Sequence, residues 1–182
     1  MEKLMMELQE RLGDEGLKLQ EPMKEHTTFR VGGPADLFLM PADAEELKDA
    51  IEILRKYDVP VMVIGNGSNL LVRDKGIRGA VIQIYNRMAE ITVDGDTIEA
   101  KGGALLSAVA AKAADASLTG LEFASGIPGS IGGAVVMNAG AYGGEMKDVL
   151  VSVDVLTKEL EVKTIPAEEL ELGYRQIGRA HV

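Results

Sequence analysis

Gly65-Asn66-Gly67-Ser68-Asn69-Leu70 is a stretch whose residue types could do chemistry. Glycines at the first and third places allow a tight turn with consecutive N–H groups facing inward, a nest for phosphate oxygens. Ser68 and Asn69 add side-chain donors. No Gly-Lys-Ser/Thr follows, so this is not a Walker A loop. Leu70 stands where a Rossmann fingerprint needs its third glycine, and Leu70-Leu71-Val72 reads as strand rather than helix start. A plain β-turn has the same composition, so the two readings stand side by side here.

The second stretch is residues 123–144, FASGIPGSIGGAVVMNAGAYGG, with seven glycines and no Asp, Glu, Lys or Arg. A solvated loop carries charge, and a packed helix or strand tolerates few glycines. Backbone held against a large, flat, partly apolar ligand suits this composition. Ser125 to Ser130, with Gly126, Ile127, Pro128 and Gly129, is turn chemistry with many free amides, as are Gly132 and Gly133. Asn138-Ala139-Gly140 and Tyr142-Gly143-Gly144 repeat the theme. A buried glycine-rich loop between sheets is the competing reading of this segment alone. Two uncharged glycine loops in one chain favour a dinucleotide, with pyrophosphate on one and a ring system on the other.

Composition narrows the classes. With a net charge of −10, a broad basic surface for nucleic acid or anionic membrane is not expected. An anionic small molecule would be held by amides and a few placed arginines. Aromatics make up 4 % and Trp is absent, which disfavours base-stacking platforms. There are no cysteines, so disulfides and thiolate chemistry are excluded. His26 and His181 are far apart, and no metal site is expected. The N-terminus has no apolar run of signal-peptide type, and no span reaches transmembrane length, so a soluble, cytoplasmic protein is expected.

The elements that must position these loops follow from periodicity and punctuation. Residues 3–12 predict an amphipathic helix ended near Gly13. Residues 35–40 predict a strand closed by Pro41, then a helix over 44–57 capped by Asp43, with Glu46 completing a capping-box pattern. The apolar run 59–64 predicts a buried strand running into Gly65, and 79–84 another. Residues 90–101 predict a hairpin turning at Asp94-Gly95, and 149–164 a second hairpin. Residues 104–116 predict an Ala-rich helix, and Pro166 opens a short one. The pattern is α+β, with a weak division near residues 75–87.

Thr27-Thr28-Phe29-Arg30-Val31-Gly32-Gly33, then 65–70, then 125–145, then Gly173-Tyr174-Arg175, in that order, resemble the UDP-N-acetylenolpyruvoylglucosamine reductases, flavoenzymes of bacterial peptidoglycan precursor synthesis. The resemblance covers about residues 20–175, and four motifs in order make it specific. It implies the FAD-binding fold of the vanillyl-alcohol-oxidase (PCMH) type, with two α+β subdomains and FAD between them. On this resemblance residues 1–26 are a helix and lead-in, and 27–175 the FAD-binding domain. Gly65, Asn66, Gly67, Ser68, Asn69 and Leu70 would hold the FAD pyrophosphate. Gly126, Ile127, Pro128, Gly129, Ser130, Gly132 and Gly133, with Asn138, Ala139, Gly140 and Tyr142, would line the flavin and the adenine side. Arg175 would be the catalytic residue that steadies the enolpyruvyl substrate, a task for an arginine fork that binds carboxylate and stays protonated. Tyr174 would contact the UDP-sugar substrate, and NADPH would be the hydride donor. Arg30 reads as a structural arginine paired with a local carboxylate.

The chain departs from the family after Arg175. Gln176 to Val182 lacks the expected serine, and a substrate-binding domain with the proton-donating Ser and a catalytic Glu does not follow. A truncated or non-native tail is expected over 176–182, with weak FAD binding and little turnover. A stand-alone flavin-binding module, or a related FAD oxidase, is the alternative.

Overall fold

The computed structural model describes residues 2–173. The backbone divides into two units, residues 1–88 and 89–182.

The first unit opens with helix α1 (Glu2–Gly16), interrupted at Gly13, whose φ of 66 leaves the helical region. Leu4, Leu8 and Leu12 recur every four residues and are all buried. This single leucine stripe is what drives the helix onto a sheet. Strand β1 (Leu17–Pro22) follows and pairs antiparallel with β2 (Pro34–Leu39). The sequence signals miss β1, because Lys18, Gln20 and Glu21 carry little strand preference and pairing alone makes the strand.

Helix α2 (Ala44–Lys56) is capped by Asp43, whose carboxylate accepts the Glu46 N–H at 2.8 Å. The reciprocal bond lands one residue earlier than a capping box requires, from the Ala42 N–H to the Glu46 carboxylate. Glu7 ties α1 to α2 by accepting from Lys56 Nζ and from the Tyr57 hydroxyl, both at 2.8 Å.

Strands β3 (Val61–Ile64) and β4 (Ile77–Gln83) complete a four-stranded sheet ordered β1-β2-β4-β3. Both β2 and β3 run parallel to β4. The expectation of a buried strand over 59–64 is overturned. β3 is an edge strand, and Val61, Met62 and Val63 are exposed at 38 %, 41 % and 58 %. A β-branched apolar run reports strand preference, whereas position in the sheet is set by pairing. The inner strands are covered on both faces, as parallel sheets require. One face packs Leu37, Leu39, Ala80 and Ile82 against the α1 and α2 leucines. The other packs Phe38 and Val81 against Met23 and Val72.

The β2–β4 pairing slips between Ala35 and Leu37, so β4 places an extra residue opposite Asp36. Gly79 (φ 98) makes the bulge. Its N–H, lost to the ladder, donates to Asp36 Oδ2 at 3.0 Å, and Arg78 Nη1 lies 2.7 Å from Asp36 Oδ1. The Gly79 N–H first, then Gln20 and Arg78, hold the Asp36 carboxyl below the ordinary carboxylate range. Asp36→Ala is expected to lower stability by about 1–3 kcal/mol in urea denaturation, with Asp36→Asn intermediate, because one acceptor survives. A carboxyl whose folded value is depressed stabilises above its unfolded value and loses that contribution as pH falls through the folded one. The wild-type advantage over Asp36→Ala should therefore be full at neutral pH and shrink below the ordinary aspartate value of about 3.9. A stability gap independent of pH down to 2 would refute the role of the charge.

The second unit is built from hairpins around two helices. β5 (Ile91–Asp94) and β6 (Thr97–Ala100) form the expected hairpin, but its two-residue turn is Gly95-Asp96, one residue later than the expected Asp94-Gly95, because Asp94 still pairs with Thr97 and Gly95 (φ 59) takes the left-handed first position. Helix α3 (Leu106–Asp115) is followed by a 3₁₀ turn at Glu122–Ala124 and by helix α4 (Ile131–Val136). β7 (Gly140–Ala141) and β8 (Gly144–Glu145) form a minimal hairpin. β9 (Ser152–Leu156) pairs with β10 (Val162–Pro166), and a 3₁₀ turn, Ala167–Leu170, follows. The core of this unit is Leu106, Phe123, Ala124, Ala134, Val135 and Met146.

Candidate functional site

Residues 65–76 are the whole connection between parallel strands β3 and β4, where a crossover helix would be usual. Buried Gln83 donates its Nε2 to the Gly65 carbonyl at 3.2 Å, fixing the loop where it leaves β3. Gly67 has φ 66, and a methyl group on it would lie 1.9 Å from the His26 carbonyl oxygen. The Thr28 N–H donates to the Gly67 carbonyl at 3.3 Å. Only glycine fits there, for backbone approach and conformation alike. Asn66 and Ser68 are half-buried and Asn69 is exposed. Leu70 is turned into the Met23–Phe38–Val72–Val81 cluster, so it anchors the loop from within.

The same loop is laced to residues 27–34. The Gly33 N–H donates to the Arg73 carbonyl at 3.0 Å, and a methyl group on Gly33 would meet the Asp74 carbonyl at 1.9 Å. Buried Thr27 donates its hydroxyl to the Val31 carbonyl at 3.2 Å. Arg30 is exposed at φ 53, and among the described residues no carboxylate pairs with it. The expectation of a locally paired arginine is therefore not met. Phe29 and Val31 stand exposed beside it.

In the second unit the structure revises the reading of 125–133 as freely offered amides. The Ile131 and Gly132 N–H groups donate to the carbonyls of Ala104 and Gly102, at 2.7 and 2.9 Å. The Ser130 hydroxyl, 2 % exposed, caps α4 by accepting the Gly133 N–H at 3.4 Å. Gly132 is required by close approach, since a methyl group there would lie 2.9 Å from the Gly102 carbonyl oxygen. Ile127 packs against the core of the unit. Ser125, Gly126 and Pro128 are exposed, and Gly129 has φ 145. Gly126 differs from the others: its φ is not left-handed, and nothing lies within 4 Å of a methyl group placed on it. Among the described residues nothing requires glycine at that position.

Asn138 is fully buried at φ 41. Its Nδ2 donates to Glu145 at 2.6 Å, and its Oδ1 accepts the Lys147 N–H at 3.0 Å. Lys147 Nζ closes the network 3.1 Å from the same Glu145 oxygen. Asn138 thus braces the chain on either side of the β7–β8 hairpin. The Ala139 carbonyl accepts the Met146 N–H at 3.0 Å, and Gly140 lies against Gly144, whose carbonyl would be 2.7 Å from an added methyl group. At the tip, Tyr142 (φ 53) and Gly143 (φ 89) are both left-handed, the type I′ signature. The Tyr142 side chain is 97 % exposed. Tyr174 and Arg175 lie outside the described residues.

Among the described residues no group of three His, Asp or Glu could hold a metal ion, and no helix is long and apolar enough to cross a membrane. What the two segments offer is uncharged backbone, exposed glycine and one aromatic ring.

Residues 35–165 match the FAD binding domain family, and both glycine segments fall inside that span. The chain belongs to this family of FAD-binding domains. It is 57 % identical over 178 residues to the UDP-N-acetylenolpyruvoylglucosamine reductase of Agathobacter rectalis, covering 91 % of this chain and 56 % of that protein. With the reductase of Alkaliphilus metalliredigens it shares 51 % identity over 174 residues, 96 % of this chain and 57 % of the relative. The chain therefore spans about half the length of the curated relatives it matches. Among solved structures, the reductase from Thermus caldophilus superposes with a TM-score of 0.72 at 40 % identity, covering 88 % of this chain and 55 % of that one. The 4-ethylphenol oxidase of Gulosibacter chungangensis superposes at 0.69 with 16 % identity, over 90 % of this chain and 34 % of that one, which shows a shared fold. The fold of this FAD-binding domain is accordingly of the vanillyl-alcohol-oxidase (PCMH) type. The donor set fits the cofactor: a glycine turn docked on backbone for an anion, and an uncharged segment with an open glycine for a flat ring system.

Proposed function

We propose that this chain is the FAD-binding part of a UDP-N-acetylenolpyruvoylglucosamine reductase. The observation that carries the reading is the 57 % identity to such a reductase across 91 % of the chain. When bound, FAD would supply the hydride chemistry, taking hydride from NADPH and passing it to the enolpyruvyl double bond.

The chain's own residues do the holding. Gly65, Asn66, Gly67, Ser68 and Asn69 face the pyrophosphate with main-chain and side-chain donors, which is how a protein of net charge −10 holds an anion without a positive field. Leu70 keeps that loop in place from its packed side. Gly126, Pro128 and Gly129 give the ring system a surface free of side chains, Ile127 backs it, and Ser130, Gly132 and Gly133 set its path through α4. Asn138, Ala139 and Gly140 position the Tyr142 hairpin. Arg175 holds the substrate carboxylate as charge builds on it, and Tyr174 contacts the UDP-sugar.

The test has two stages. Titrating FAD into the chain should quench flavin fluorescence and resolve the flavin absorption bands. NADPH consumption that depends on UDP-N-acetylglucosamine enolpyruvate should then appear in a chain of the relatives' full length carrying these residues. It should fall about a hundredfold or more when Arg175 becomes Ala, as when a preorganised charge is removed from a developing anion. FAD binding without substrate-dependent NADPH consumption would leave a flavin module of another activity.

A further inference from the structure

We infer that His26 is a positioning residue for the 65–70 loop and sets how tightly the chain takes the pyrophosphate of a flavin dinucleotide. The inference rests on the proposal that this loop holds that pyrophosphate.

His26 follows the 3₁₀ turn Met23–Glu25, and its N–H donates to the Met23 carbonyl at 2.9 Å. Its side chain is 13 % exposed and is fixed twice. Nε2 lies 2.8 Å from Glu21 Oε1. A carboxylate can only accept, so that nitrogen carries the proton. The ring stacks on Phe38 with centroids 4.0 Å apart and planes at 30°, and Phe38 is itself wholly buried. Glu21 is held in turn by Lys18 Nζ at 2.9 Å and by its place opposite Ala35 in the β1–β2 ladder. Burial works against the Glu21 charge, yet the hydrogen bonds from His26 and Lys18 keep its carboxyl below the ordinary range.

The consequence lies on the backbone of the same residue. The His26 carbonyl is the floor on which Gly67 rests, with no room for one methyl group between them. The Thr28 N–H, two residues on, holds the Gly67 carbonyl. Core Phe38, ring, peptide and loop thus form one chain of contacts. Releasing the ring frees the 26–28 peptides to rotate, and the cradle loses the fixed donor directions that anion binding needs.

The experiment measures FAD, ADP and riboflavin affinity of the full chain by flavin fluorescence and by competition. It compares wild type, His26→Ala, His26→Gln, Glu21→Ala and Gly67→Ala, with folding checked by circular dichroism. His26→Ala and Glu21→Ala should each weaken FAD and ADP in parallel by about tenfold, the size of one lost charge-assisted hydrogen bond, and leave riboflavin unchanged. His26→Gln, which still donates to Glu21, should recover part of the loss. Should His26→Ala fail to fold, the FAD-to-riboflavin ratio still decides, with Glu21→Ala low and His26→Gln nearer to wild type. Wild-type affinity in the folded variants, or equal weakening of FAD and riboflavin, overturns the positioning role. Failure of the underlying proposal looks different: Gly67→Ala would then distort the loop yet leave ADP affinity intact.

Discussion

Gly126→Val should leave the fold of the chain unchanged and cost it most of its affinity for FAD. Gly126 has no left-handed φ and, among the described residues, nothing within 4 Å of its missing side chain, so neither backbone strain nor a clash with them opposes the substitution. Replacing an exposed loop glycine at ordinary φ is neutral or mildly stabilising, through the unfolded state. The two isopropyl methyls would instead occupy the surface proposed for the ring system. Overpacking of that size costs 1–3 kcal/mol, or about tenfold to a hundredfold in Kd. Gly126→Ala should fall between. Melting temperature and FAD titration on the same samples separate the two effects. An unchanged Kd with Val at 126 would remove this segment from the ring site, and a large drop in melting temperature would show that the glycine serves packing.

Asn138→Ala should do the reverse, destabilising the second unit before it touches the ligand. Asn138 is wholly buried, and both ends of its amide are engaged, with Glu145 and with the Lys147 N–H. Truncation removes one donor from Glu145, which keeps Lys147 Nζ at 3.1 Å, and orphans the Lys147 N–H, and the side chain that helps asparagine tolerate φ 41 is lost. A loss of about 1–3 kcal/mol follows from one orphaned main-chain donor and one lost hydrogen bond to a carboxylate. Asn138→Asp should cost at least as much, because it sets a second carboxylate against Glu145. Urea denaturation reads the stability, and amide exchange across 139–147 should rise selectively. Should FAD affinity fall while the unfolding midpoint holds, Asn138 would be a direct ligand and its bracing role here would be secondary.

The two glycine segments were legible because local chemistry wrote them. A glycine among Asp94, Gly95 and Asp96 demands a tight hairpin turn between alternating residues, though pairing of Asp94 with Thr97 sets it one residue later than the Asp-Gly pair suggests, and Asp43 caps α2 with a bond that spans three residues. The leucine stripe of α1 is visible at a spacing of four. The order of the motifs, down to Tyr174-Arg175, pointed to the reductase family because no fold-level property was needed to see it. The place of β3 in the sheet is not legible, for the opposite reason. Its apolar run states a preference for extended backbone, while its edge place depends on β4 entering between it and β2 from further along the chain.

The sequence by itself determined where the chain carries uncharged, glycine-rich backbone and where it turns. Composition and turn chemistry act within a few residues, and they survive without any knowledge of packing. Tertiary structure alone decided what each glycine is for. Gly67 is glycine because the His26 carbonyl fills the space, Gly132 because Gly102 does, and Gly126 although none of the described residues fills it. It also engaged the Ser130 and Asn138 side chains as braces, by burying them against Gly133, Glu145 and Lys147. Whether a polar group is offered or already used depends on neighbours that only folding brings within hydrogen-bond reach.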